Sequence, residues 1–385
     1  RKELPGTKTI KLTTPPHAGV LEARLTKGFE YSDCWVEDAR LVVLNAMDAR
    51  ERGAEILTHA NVQNVRTGEG VYTAGIALKD GTTRTVHAKA VVNSAGPWVD
   101  EVLMGIKKDS ADASVRLVKG SHIVTKKLFD GDHAYIFQNK DDRIIFAIPY
   151  EENYTLIGTT DVPYSHTEGP VKISEDEISY LCGAASEYLE KDITPADVTW
   201  TYSGVRPLYD DGVSSATAAT RDYTLKIDED GGAPVLNIFG GKITTYRTLS
   251  EGALRKISPY FGAVSGEWTA GVALPGGDFA VDGVGAEIAK LRTAYGFLDQ
   301  RWATRLVRAY GTEAGDVLGA ATQASDLGQE FGATLTQHEV VWLMDREFAQ
   351  CAEDIVWRRN KLGLRMTKDQ IATLDNWMQQ RRNEH

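Results

Sequence analysis

After Leu274-Pro275-Gly276-Gly277-Asp278 the sequence stops reading as strands and turns and becomes nearly all helix. One hydrophobic core is built from one kind of layering, so this switch places a domain boundary between Ser265 and Asp278. The length agrees: at ~100–200 residues per domain, 385 residues call for two or three domains. Thr336…Glu339 and Thr367…Gln370 carry the capping-box pattern that opens helices in the second part.

Before the switch, residues 1–31 read as short strands broken at Thr13-Thr14-Pro15-Pro16. From Val36 to Arg52, Ala39, Val42, Val43, Ala46 and Met47 recur at helical spacing, with Asp33 as a cap and Gly53 as a stop. Strands are expected at Glu55–Thr58, Asn61–Arg66, Val71–Leu78 and Arg84–His87, the last two joined by an Asp80-Gly81 hairpin turn. Ala90–Asn93 is another, broken by Ser94-Ala95-Gly96-Pro97-Trp98 into a helix start. Further strands are expected at 121–125, 134–138, 143–149, 154–159, 199–202, 223–227 and 235–239. Ser174-Glu175-Asp176-Glu177 caps a helix running to about Glu190, and a second runs from about Thr245 to Ile257.

The net charge of −11 argues against an electrostatic grip on nucleic acid, so an anionic substrate needs a local basic pocket. Cys34, Cys182 and Cys351 are far apart and lack metal-ligand spacing, which reads as reduced thiols in a reducing, cytoplasmic compartment. No HExxH or CxxC pattern appears, so no metal site is expected. No apolar run is long enough to span a bilayer. The chain opens at Arg1 in basic, proline-containing sequence, as a piece of something longer would.

Three basic residues sit beside turn chemistry. Pro207 forces Arg206 out of the helical region, so Arg206 projects from an extended segment. Arg221 opens Arg221-Asp222-Tyr223 after a loop of small residues, and Lys242 follows Gly240-Gly241, where backbone can pass close to another molecule. Guanidinium forks and a lysine point charge suit a phosphate. The bland alternative is arginines paired locally, Arg206 with Asp210 and Arg221 with Asp222. His122, on a strand after Gly120, is either a base or a hydrogen-bonded core residue. Gly68-Glu69-Gly70 and Gly283-Val284-Gly285 both fail the dinucleotide fingerprint.

Seven segments in order resemble the bacterial aerobic FAD-dependent glycerol-3-phosphate dehydrogenases. They begin at Gly28-Phe29-Glu30-Tyr31-Ser32-Asp33-Cys34-Trp35 and continue with Arg116-Leu117-Val118-Lys119-Gly120-Ser121-His122 and Ile157-Gly158-Thr159-Thr160-Asp161. Tyr202-Ser203-Gly204-Val205-Arg206-Pro207, Thr220-Arg221-Asp222-Tyr223, Phe239-Gly240-Gly241-Lys242-Ile243-Thr244 and Leu274-Pro275-Gly276-Gly277 complete the set. The resemblance implies an α/β fold: an amino-acid-oxidase-like FAD domain, a substrate domain on an antiparallel sheet and a helical C-terminal domain. The expected spans are 31–105 with 206–264, then 1–30 with 106–205, then 270–385. The family's opening strand, GxGxxG turn and helix, which hold the ADP half of FAD, have no counterpart here. The FAD domain is therefore expected to be incomplete, and this chain alone to be silent and short of FAD.

By the same resemblance the reaction is oxidation of sn-glycerol 3-phosphate to dihydroxyacetone phosphate, with hydride passing to FAD and electrons to quinone. His122 matches the family's base and Arg206 lies at the reacting end, while Arg221 and Lys242 bind substrate. Asn93, Ser94, Ala95 and Gly96, with Gly241, Lys242, Ile243 and Thr244, match the cofactor-binding turns. A homodimer and peripheral contact with the inner face of the cytoplasmic membrane complete what the resemblance implies. Trp357-Arg358-Arg359 with Lys361 and Arg365 is a basic, aromatic-flanked patch that would suit anionic lipid, but a solvated helix face is the preferred reading of it. The alternatives are a sister FAD oxidase acting on an amino or hydroxy acid, and a non-catalytic fragment.

Overall fold

The computed structural model describes residues 4–106, 115–209, 222–230, 233–262 and 265–384. The chain divides into two units, Arg1–Cys34 with Asn61–Gly266, and Trp35–Ala60 with Glu267–His385. Helix α1 (Asp38–Glu51) belongs to the second unit, although its span falls in the expected FAD domain.

In the first unit, β1 (Lys8–Lys11) and β2 (Lys27–Glu30) pair antiparallel. β3 (Asn61–Gly68), β4 (Val71–Ala77) and β5 (Thr83–Ala88) form an antiparallel meander. Its Asp80-Gly81 turn has Gly81 at φ 84°, and Asp80 Oδ1 accepts from Thr82 N. β6 (Val91–Asn93) leads through a short turn at Gly96–Trp98 into α2 (Val99–Ile106).

The large antiparallel sheet comprises β7 (Val115–Lys126), β8 (Tyr135–Gln138), β9 (Ile144–Tyr150), β10 (Tyr154–Gly158), β11 (Val162–Pro163) and β12 (Val198–Tyr209). Its order is β11-β7-β10-β9-β8, and β12 pairs with β7. Helix α3 (Glu175–Ser186) covers one face, burying Leu181, Cys182 and Ala185 against Ile123, Ile145 and Ile157. The third sheet joins β13 (Tyr223–Asp230), β14 (Ala233–Gly240) and β6, with β14 antiparallel to β13 and parallel to β6. Ala233 to Leu236 are buried without alternation, as in a strand covered on both faces. Leu236 packs on Ala253 and Ile257 of α4 (Tyr246–Ile257), while Phe239 packs on Val99 and Leu103 of α2.

The second unit is helical. With α1 it contains α5 (Val284–Ala294), α6 (Gln300–Tyr310), α7 (Ala314–Leu318), α8 (Gln337–Asp345) and α9 (Lys368–Glu384), around Leu306, Leu318, Leu327, Leu343, Ile355, Leu374 and Met378. Two short strands, β15 (Glu330–Gly332) and β16 (Leu335–Thr336), pair within it. Arg40 forks onto Glu347, and Arg305 onto Glu339, inside this core.

Four local expectations need correction. Helix α1 starts at Asp38, and the Asp33 carboxylate instead accepts from Cys34 N. Glu55–Thr58 is not a strand; Gln350 Nε2 donates to Thr58 O and Thr58 Oγ1 donates to Phe348 O, so side chains tie this segment down. Thr336 makes no capping box, because Glu339 is drawn inward to Arg305 and Tyr310. Helix α3 stops at Ser186, short of Glu190. The boxes at Ser174 and Thr367 do form.

Candidate active site

β7 and β12 pair with Tyr202 opposite His122, Gly204 opposite Gly120 and Arg206 opposite Val118. Opposed residues, and residues two apart, share one face of a sheet. His122, Tyr202, Gly120, Gly204 and Arg206 therefore line one face, with two glycines between the imidazole and the arginine. Gly158 of β10 faces His122 from the other side. The His122 ring lies over bare backbone there: a Cβ at Gly158 would come within 2.1 Å of its Cδ2. Tyr202 stacks parallel to it, centroids 4.8 Å apart and planes within 8°.

Arg206 reaches back along this strip. A Cβ on Gly120 would meet its Nη2 at 2.8 Å, so the guanidinium lies above Gly120, two residues from His122. Its Nη2 donates to Thr159 Oγ1 at 3.1 Å and its Nη1 to Asp161. The local partner expected at Asp210 lies outside the described residues; the observed one comes from the β10–β11 connection. Pro207 holds Arg206 in extended backbone as expected, within a strand at the sheet's edge where a missing N–H is tolerated.

Behind the sheet, on the α3 side, Glu177 is almost fully buried. Its carboxylate accepts from Ser121 Oγ (2.8 Å), Thr160 Oγ1 (2.7 Å), Ser174 N (2.8 Å) and Lys119 Nζ (3.0 Å). Burial alone would raise its pKa, but the bonds from Ser174, Thr160, Lys119 and Ser121 outweigh it and hold the group at about 2.

The turns expected to hold the cofactor come together through the third sheet. β6 and β14 run parallel with Asn237 opposite Asn93, so Ser94–Gly96 and Gly241–Thr244 leave the sheet at the same end. In open α/β sheets, ligands bind at the carboxyl ends of the strands. Gly96 (φ 56°) has nothing within 4 Å of where a Cβ would stand, and Gly241 is at φ 107°. The turn at Ile243–Thr245 that opens α4 has no side-chain cap, which leaves its first N–H groups for a ligand oxygen. Bare glycine backbone and uncapped N–H groups at one sheet end fit the ring portion of a flavin. The Asn93 side chain is committed to Val99 O and Asn237 Oδ1, so it pins the turn, while Ser94 is exposed beside it. Gly240 abuts β12, where a Cβ would stand 3.7 Å from Pro207 O; this sets Lys242, exposed, two residues from that contact. Arg221 lies outside the described residues.

A family model described as FAD dependent oxidoreductase matches residues 6–247, and one described as the C-terminal domain of alpha-glycerophosphate oxidase matches 268–382. The chain belongs to the FAD-dependent oxidoreductase family. Among its relatives, D-erythritol 1-phosphate dehydrogenase of Brucella abortus is 43% identical, over 98% of this chain and 75% of that protein. Glycerol-3-phosphate dehydrogenase of Pseudomonas aeruginosa is 42% identical, over 98% of this chain and 73% of that protein. In fold, the chain matches the glycerol-3-phosphate dehydrogenase of Bacillus halodurans complexed with FAD, with a TM-score of 0.74 at 23% identity, covering 97% of this chain and 81% of that one. This oxidoreductase thus has the resembled fold class and the resembled cofactor, FAD.

Sequence reading missed Gly158, Tyr202, Thr159, Asp161 and Glu177 as parts of the site. The available signal was glycine inside strands at 120 and 158, which marks close approach. In the helical unit, the basic patch is not a free basic face. Arg359 is buried and donates to Glu347 O, Lys361 donates to Trp357 O, and Arg358 pairs with Glu353. His59, Cys351 and Asp354 bring metal-type ligand atoms within 4.8 Å of one another. Asp354 Oδ2 already accepts from Gln350 N, Cys351 N and the His59 ring, so the cluster ties a turn to the chain at His59. The three cysteines are free thiols. No helix among the described residues is long and apolar enough to cross a membrane.

Proposed function

We propose that this oxidoreductase oxidises the C2 hydroxyl of sn-glycerol 3-phosphate to give dihydroxyacetone phosphate. The observation that carries the reading is the imidazole of His122 and the guanidinium of Arg206 on one glycine-floored strand face. Ser94–Gly96 and Gly241–Thr244 would hold FAD, which would supply the hydride-accepting chemistry, with a membrane quinone as the final acceptor. His122 receives the hydroxyl proton on an imidazole nitrogen, its ring kept in plane by Tyr202 and the bare backbone of Gly158. Arg206, fixed by Thr159 and Asp161, orients the reacting oxygen. Arg221 and Lys242 bind the phosphate dianion. Quinone as acceptor implies peripheral contact with the inner face of the cytoplasmic membrane.

A second substrate has support from the Brucella abortus relative, whose name specifies D-erythritol 1-phosphate. Stopped-flow bleaching of the flavin in the FAD-loaded full-length enzyme separates the two. Faster reduction by sn-glycerol 3-phosphate is the expected result. Faster reduction by D-erythritol 1-phosphate moves the assignment to the four-carbon substrate, and no bleaching with either overturns it.

A further inference from the structure

We propose that Glu177, on the opposite side of the large sheet from the site, is a positioning residue that holds Arg206 in its working pose through the Thr159–Asp161 segment. The proposal rests on the functional reading of Arg206 given above. The path is continuous. Arg206 is held in front by Thr159 Oγ1 and the Asp161 carboxylate, the two neighbours of Thr160. Thr160 is 1% exposed and points the other way. Its Oγ1 donates to Glu177 Oε1 at 2.7 Å and accepts from Ser121 N at 2.9 Å, and its own N donates to Ser121 O at 3.3 Å. Ser121 in turn stands between Gly120, beneath the Arg206 guanidinium, and His122. One carboxylate thus ties both the segment that grips Arg206 and the strand that carries His122.

The chemistry of the contact selects a carboxylate. Ser121, Thr160, Ser174 and Lys119 all present donors to Glu177, and Glu177 also closes the capping box that starts α3. A carboxylate has acceptor sites on both oxygens for such a set, whereas an amide turns a donor toward one side of it. With Gln at 177, the carbonyl would be drawn to Lys119 and Ser174, and the NH₂ would face the Ser121 and Thr160 hydroxyls. Thr160 would lose its anchor while the Lys119 side kept an acceptor. The 159–161 segment would then be free to shift, and Arg206 with it. Catalytic groups are sensitive to this: displacement by about 1 Å costs on the order of 10²-fold in rate.

The test is flavin reduction at saturating polyol phosphate in the FAD-loaded enzyme, for Glu177→Gln and for Thr160→Val. The second removes the hydroxyl link and leaves the Glu177–Lys119 pair intact, so it carries the test if the first does not fold. Both are expected to keep the flavin spectrum and to slow reduction roughly 10- to 100-fold, with Glu177→Asp recovering part of the loss. The decisive measurement repeats each in an Arg206→Lys background, where a residue acting through the arginine fork should have little left to remove. Reduction within about twofold of the parent in Thr160→Val, or an undiminished further loss in the Arg206→Lys background, overturns the proposal. If Arg206→Lys alone leaves reduction unchanged, the functional reading of Arg206 fails, and the positioning role falls with it.

Discussion

The imidazole of His122 occupies the space that a side chain at Gly158 would fill, with Cδ2 at 2.1 Å from the missing Cβ. A strand residue opposite the proposed base therefore has to be glycine. In Gly158→Ala the methyl group and the ring cannot coexist, so the ring has to move by about an ångström or more from its place against Tyr202. Flavin reduction by substrate should fall on the order of 10²-fold, within the ~10²–10⁴-fold range set by removing a general base outright, as in His122→Gln. Rapid-mixing absorbance of both variants checks this, with the oxidised flavin spectrum as control. A Gly158→Ala enzyme at parental rate would remove His122 from the mechanism.

Gly120 makes the same demand for Arg206. A Cβ there would meet Nη2 of Arg206 and Oγ1 of Thr159, each at 2.8 Å. Both are side-chain ends and can give way, so Gly120→Ala should fold but break the Arg206–Thr159 bond. Losing a hydrogen bond to a charged group, ~1.5–3 kcal/mol, corresponds to roughly 10- to 150-fold in kcat/KM. Steady-state kinetics with sn-glycerol 3-phosphate measures it. Gly204→Ala is the contrast: nothing lies within 4 Å of a Cβ at that position, so the Arg206–Thr159 bond survives and the loss in kcat/KM should be smaller than in Gly120→Ala.

The parts of this site that were legible in sequence are those fixed by local backbone chemistry. Pro207 placed Arg206 on extended chain, Gly240-Gly241 marked the bend before Lys242, and Ser174…Glu177 announced the start of α3. What stayed hidden is set by register between distant strands. Asp161 reaches Arg206 because β7 lies between β11 and β12, which nothing near Asp210 could reveal. Glu177 reads as a capping residue and is one, but the three further donors, Ser121, Lys119 and Thr160, converge on it only once α3 lies on the sheet. Burial decided other positions. In the Trp357-Arg358-Arg359 run, which suits lipid only by resemblance, Arg359 is spent on a buried carbonyl, and Thr336 loses its box because Arg305 competes for Glu339. Family resemblance supplied the FAD and substrate assignments that spacing alone left open.

The helical unit offers a stability test independent of chemistry. Glu347 is fully buried and its carboxylate takes the Arg40 fork, while Arg359 serves its main-chain carbonyl instead. Arg40→Met leaves that carboxylate without its counter-ion. Breaking a buried pair from one side costs roughly 3–5 kcal/mol. Replacing both ends, as Arg40→Met with Glu347→Leu, should recover most of the loss, since desolvating the pair offsets much of its attraction. Urea unfolding followed by circular dichroism reports both values. A double variant as unstable as the single one would mean that the pair contributes net attraction.

Acid unfolding should carry the signature of Glu177. Its folded-state pKa, about 2, is depressed from an ordinary 4.5 because, against the opposing effect of burial, four groups donate to the ionised form. A depressed carboxyl stabilises the fold above its unfolded-state pKa, and the contribution fades as pH falls toward the folded-state value. The full contribution, roughly 3 kcal/mol by linkage, is present above about pH 5. By pH 3 about 2 kcal/mol of it should be gone. Glu177→Gln has no such proton to bind, so the stability gap between parent and variant should narrow by that amount between pH 5 and pH 3. Unfolding free energies of the two proteins at matched pH and ionic strength provide the comparison. A gap that stays constant across this interval would mean that Glu177 titrates as an ordinary glutamate, and its bonds to Ser121, Thr160, Ser174 and Lys119 would not be holding a charge in place.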